Sequence, residues 1–126
     1  MARVLIVEDD ADFREFMATG LRRSGHTVMV ASSGRAVTED ELGSPPDIPF
    51  DVIVTDILMP EVDGIEVIRA AKATRPTCRI VAISGGGGLN GPDVYLSLAN
   101  VFGVDATLAK PFNITDLCAA IAGETR

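Results

Sequence analysis

Side chains suited to handling phosphate and divalent cations recur in this chain at one kind of place, the point where an apolar run gives way to a loop. Glu8, Asp9 and Asp10 follow the run Val4–Val7, Asp56 follows the β-branched run that begins at Val52, Ser84 follows residues 79–83, and Lys110 follows residues 104–109. Carboxylates from two such places supply the hard oxygen ligands that Mg²⁺ prefers, and leave positions for water and a phosphoryl oxygen. An aspartate among them is also a nucleophile toward phosphorus, giving an aspartyl phosphate whose charge a metal offsets. Lys110 is a compact ammonium that pairs with Asp56 at rest and with a phosphoryl oxygen afterwards, while Ser84 donates a hydroxyl to another oxygen. Taken singly, each has a plainer reading: a solvated strand end, a turn residue, a surface lysine. Their repetition at successive strand ends argues for a site.

The elements that must position them follow from periodicity. Continuous β-branched and aliphatic runs are what parallel strands show when both faces are buried. Between them the period changes: Phe13, Phe16, Met17 and Leu21 share one face of a helix over 12–25, with Arg14, Glu15, Arg22 and Arg23 outside and Gly25 as a stop. Thr27 to Ala31 reads as a short strand, and Ser32 or Ser33 caps a weak helix reaching Leu42. Asp63 caps a helix buried through Ile65, Ile68 and Ala71, Pro92 opens another, and Asn113 caps a last one with Ile114, Leu117, Cys118 and Ile121 inward. Five β–α units with short connections predict an α/β fold, a doubly wound parallel sheet with helices on both faces. In such sheets the ligand crevice lies outside the carboxyl ends of the strands, which is where the acids, hydroxyl and amine fall.

Length and composition narrow the function. The 126 residues, 47% hydrophobic and 23% charged, predict one domain over 1–126 with a single sizeable core. A net charge of −7 argues against direct nucleic-acid binding, which needs Lys and Arg in excess. No apolar run reaches the length of a membrane span and the first residues carry acids, so a cytoplasmic protein without a membrane partner is expected. Cys78 and Cys118 are far apart and predict reduced thiols, and His26 beside Gly25 predicts a surface role.

Four ordered stretches, VLIVEDD at 4–10, DVIVTDILMPEVDG at 51–64, Ile83-Ser84 and Lys110-Pro111-Phe112, give the chain a resemblance to the receiver domain of two-component response regulators. The resemblance implies a flavodoxin-like, five-stranded sheet in the order 2-1-3-4-5 with five helices. It further implies that Asp56 accepts a phosphoryl group from a phosphohistidine on a sensor histidine kinase or a histidine phosphotransfer protein. Glu8, Asp9, Asp56 and the backbone carbonyl of Leu58 would serve Mg²⁺, Ser84 and Lys110 would hold the phosphoryl oxygens, and the Lys110–Pro111 bond would be cis. An output protein, which the sequence does not identify, would read the phosphorylated state. The ending at Arg126 suggests a single-domain regulator or phosphoryl shuttle, the alternative being a receiver from a larger regulator.

One position departs from the family pattern. The residue three before the lysine, usually an aromatic that swings inward, is Thr107, so the usual switch has no ring to move. Five of the seven positions 85–91 are glycine, and ordering such a loop costs on the order of 1 kcal/mol per residue, which makes it a candidate replacement switch. Two other functions fit less well. An aspartate-nucleophile phosphatase needs a second acid two residues after the nucleophile, where Leu58 stands, and a nucleotide or flavin module needs a phosphate loop after the first strand, where acids stand.

Overall fold

Val4 and Ile6 pack into one hydrophobic cluster and Leu5 and Val7 into another, on opposite faces of the same strand, which is why the segment shows no polar alternation. The computed structural model describes residues 2–32, 50–57, 64–74, 77–84 and 103–123. Within them the elements are β1 (Arg3–Val7), α1 (Ala11–Arg23), β2 (Thr27–Ala31), β3 (Val52–Asp56), α2 (Gly64–Thr74), β4 (Arg79–Ser84), β5 (Ala106–Ala109) and α3 (Ile114–Ala122). All strand pairings are parallel and the sheet order is β2-β1-β3-β4-β5, as the resemblance implies. The helices expected after Ser32 and at Pro92, the Asp63 cap and the glycine loop at 85–91 lie outside the described residues.

The two clusters define the layers. Met17, Ala18 and Leu21 of α1 and Leu117, Ala120 and Ile121 of α3 cover one face of the sheet. Val67, Ile68 and Ala71 of α2 cover the other, with Ile53 and Ile80 beneath them. Burying a side chain such as Ile53 contributes roughly 2–3 kcal/mol, so the central strands are the rigid base from which their loops project. Among the described residues no helix is long and apolar enough to cross a membrane.

Local signals set the helix ends. Asp10 Oδ1 accepts the backbone N–H groups of Asp12 (3.0 Å) and Phe13 (3.2 Å) and so caps α1. Asn113 Oδ1 does the same for Asp116 N–H at 2.8 Å, as expected for α3. Some expected faces shift by part of a turn. Phe16 is 42% exposed, because the buried stripe of α1 runs through 17, 18 and 21 and leaves residue 16 at its edge. On α2 the stripe is 64, 67, 68 and 71, so Val67 is buried and Ile65 half-buried. β5 is shorter than residues 104–109, beginning at Ala106. Both cysteines are half-buried thiols outside any disulfide, and His26 Nδ1 accepts the Ala2 backbone N–H at 3.0 Å, tying the start of β1.

Candidate functional site

Register brings the strand ends together. Val7 pairs with Thr55, Asp56 with Ile83, and Ser84 with Ala109, so the residues that follow these pairs leave the sheet along one edge. Backbone bonds carry the alignment past the strands: Glu8 N–H donates to Ala31 O (3.0 Å), Ile57 N–H to Ile83 O (2.9 Å), and Lys110 N–H to Ser84 O (2.9 Å). β1 is flanked by β2 on one side and β3 on the other, and its crevice with β3 is the topological switch point where ligands of such sheets bind.

The centre of the site is one ammonium between two carboxylates. Lys110 Nζ lies 3.0 Å from Glu8 Oε1 and 3.2 Å from Asp56 Oδ2. The Glu8 side chain is 1% exposed and that of Asp56 6%, against 20% for Lys110. Burial, then the nearby Asp56 charge, pushes the Glu8 carboxyl up to about 7, against the pull of Lys110 and of the Asp10 N–H that donates to Glu8 Oε2 at 3.2 Å. Burial alone would lower the Lys110 ammonium, but the Glu8 hydrogen bond and the Asp56 and Glu8 charges outweigh it and raise the pKa. Carboxylate oxygens of Glu8, Asp9 and Asp56 lie within 4.8 Å of one another. Among the described residues these three acids outnumber the one lysine beside them, and their all-oxygen donor set suits a hard divalent ion such as Mg²⁺. The residues present therefore fit that metal.

The three consecutive acids divide the work. Glu8 is buried against Lys110, Asp9 stays exposed at the crevice mouth, and Asp10 caps α1. Ser84 is buried at the end of β4 and Thr107 is half-buried on β5, paired with Ala82. Leu58 lies outside the described residues. The Lys110–Pro111 bond is cis.

Three further residues shape the crevice without having been singled out for chemistry. Arg14, read as a solvent-facing residue, donates from Nη1 to the Glu8 carbonyl at 2.8 Å. Gly64 donates its N–H to Ile57 O at 2.7 Å, and a Cβ there would fall on the Asp56 carbonyl oxygen and Ile57 Cα. Helix α2 thus starts directly against the backbone of Asp56, and only glycine allows it. The third is Phe13, whose ring centroid lies 4.2 Å from Lys110 Nζ. Gly64 was visible as the end of the longest motif; the roles of Arg14 and Phe13 depend on how α1 docks, which helical periodicity does not encode.

Chemically, the crevice holds a nucleophilic carboxylate, an ammonium beside it, a buried hydroxyl and acids able to hold a metal. The family model described as response regulator receiver domain matches residues 4–122. A response regulator receiver protein, CpdR of Brucella abortus, is 36% identical over 118 residues, covering 93% of this chain and 91% of its own. A probable transcriptional regulatory protein of Picosynechococcus is 33% identical over 121 residues, covering 94% of this chain, which spans only 47% of that longer protein. Among solved structures, the chemotaxis protein CheY4 of Vibrio cholerae superposes with a TM-score of 0.78 at 26% identity over 99% of both chains.

Proposed function

Because the chain belongs to the response regulator receiver domain family, we propose that Asp56 is its phosphoacceptor and that phosphorylation there changes the binding of a partner protein. Receiver domains are signalling domains of two-component systems, phosphorylated on aspartate and binding Mg²⁺ at an acidic site. The donor is a phosphohistidine on a sensor histidine kinase or a histidine phosphotransfer protein, and the chain acts in the cytoplasm as a regulator or phosphoryl shuttle, by itself or as the receiver of a larger regulator.

The observation that carries this reading is the Lys110 ammonium held between Glu8 and Asp56 at the switch point of the sheet. An Asp56 carboxylate oxygen forms the new bond to phosphorus as the bond from phosphorus to the donor imidazole nitrogen breaks, and the imidazole leaves with the electron pair and takes a proton from solvent. As the carboxylate charge moves onto the phosphoryl oxygens, Lys110 follows it, exchanging an ion pair with Asp56 for one with the phosphoryl group. Ser84 donates its hydroxyl to a second oxygen. Glu8, Asp9 and Asp56 would hold Mg²⁺, which supplies positive charge to the transferring group. A phosphoryl group adds charge and three acceptors where β3, β4 and β5 end, which is how it biases the neighbouring surface.

Intact-mass measurement after incubation with Mg²⁺ and acetyl phosphate tests the reading. One phosphoryl adduct is expected on the parent and none on Asp56→Asn. An adduct persisting on the folded variant, or none on a folded parent with a donor active on a control receiver, overturns it.

A further inference from the structure

The ammonium of Lys110 has a third neighbour that belongs neither to the acid cluster nor to the phosphate-binding set. Two of its three N–H donors are engaged by Glu8 and Asp56. Its Nζ also stands 4.2 Å from the centroid of the Phe13 ring, within the range in which an aromatic face attracts a cation. The ring is fixed from several sides. Phe112, two residues beyond the lysine, meets it edge-on with centroids 5.4 Å apart, and Phe16 packs at 5.6 Å. From the backbone, the Phe13 N–H donates to Asp10 Oδ1, and the next residue, Arg14, bonds the Glu8 carbonyl. Residues 8–14 thereby set the distance between ring and carboxylate as one unit.

We infer that Phe13 is a positioning residue for Lys110, holding the ammonium over its ring so that it stays in the crevice while its carboxylate partners exchange. The inference rests on Asp56 being the phosphoacceptor. Its physical basis is the contrast between two attractions. Hydrogen bonds to Glu8 and Asp56 are directional and must be partly given up when a phosphoryl group arrives. Attraction to a ring face is broad and needs no particular N–H direction, so it persists through the exchange. Without the ring, a flexible four-carbon stem with a strongly hydrated head has water as its alternative partner.

Phe13→Leu keeps most of the apolar volume and removes the ring; Phe13→Tyr and Phe13→Trp keep an aromatic face. Two readouts apply to the full chain, with folding of each variant checked by thermal unfolding. The Lys110 ε-methylene NMR signals, assigned through Lys110→Arg, are expected upfield of the other lysines from the ring current, to lose that shift in Phe13→Leu and to keep it in Phe13→Tyr. The rate of adduct formation from acetyl phosphate is expected to fall about three- to tenfold in Phe13→Leu, the scale of one partly desolvated cation–ring contact, and to recover in one of the aromatic variants. Unshifted Lys110 signals in the parent, an unchanged rate in Phe13→Leu, or a loss that neither aromatic variant restores would overturn the inference, the last by reducing Phe13 to packing. A parent that shifts Lys110 but takes no phosphoryl group would instead overturn the role of Asp56, and with it the catalytic meaning of the contact.

Discussion

β1 and β3 carry an ion pair at each end, and the two pairs behave in opposite ways. At the amino edge, Arg3 Nη2 lies 3.0 Å from Asp51 Oδ1, and Arg3 also reaches Asp51 Oδ2 through Nε and its backbone N–H. Side-chain exposure there is 52% and 47%. One charge answers one charge in water, and the Arg3 side-chain hydrogen bond holds the Asp51 carboxyl below the usual carboxylate range. At the carboxyl edge of the same strands, Lys110 faces Glu8 and Asp56 with Asp9 nearby, and Glu8 is driven the other way, up to about 7. Among the described residues, the same chemical types thus give a one-to-one surface clamp at one end and a cluster with more acids than cations at the other. Burial and charge count among the described residues make the difference: the amino edge is complete as it stands, whereas the carboxyl edge gains from further positive charge, as the proposed phosphoacceptor site with Mg²⁺ requires.

That contrast is broken most severely by removing the buried cation. Lys110→Met removes the ammonium that both Glu8 and Asp56 bond, and is expected to lower unfolding free energy by about 2–4 kcal/mol at pH 8. Urea titration should show a smaller loss at pH 5, where protonated Glu8 no longer repels Asp56. Equal losses at both pH values would mean that the lysine acts by packing alone.

The next largest effect sharpens the comparison through pH. A carboxyl raised from 4.5 to about 7 on folding binds more protons in the folded than in the unfolded state across that interval. Its contribution to stability therefore falls as pH rises through it, by on the order of 3 kcal/mol in the metal-free protein. Glu8→Gln should remove this descent and exceed the parent in stability at pH 8, and added Mg²⁺ should narrow the gap. Asp51, being depressed, contributes above the ordinary carboxylate range and loses its contribution as pH falls below it, so the two windows separate. Parent and Glu8→Gln curves that run parallel from pH 5 to 8 would contradict the burial argument.

Asp51→Asn should give the smallest change, because solvent and salt already screen that pair. Its effect should fade in high salt and leave the rate of adduct formation from acetyl phosphate unaltered. A drop in that rate would show that the two ends of β1 and β3 are coupled.

Much of this was legible beforehand for identifiable reasons. Val4–Val7 and Val52–Val54 announced buried parallel strands because both faces are covered, and the acids, serine and lysine stood out because each broke an apolar pattern at its end. Asn113 was readable as a cap because capping is local. Phe16 was misplaced because a hydrophobic type does not say how far around a helix the partner surface extends. Arg14 looked like solvent-facing charge, and nothing in its spacing pointed to the Glu8 carbonyl.

The sequence by itself determined the alternation of elements, the chemistry at each strand end and the family, since these depend on residue type and short-range order. Only the tertiary structure decided which of three adjacent acids is buried, which lysine atom meets which oxygen, why glycine alone fits at position 64, and that Phe13 lies over Lys110. Those outcomes depend on distances between segments as much as 102 residues apart, set by strand register and helix docking, and no local pattern encodes them.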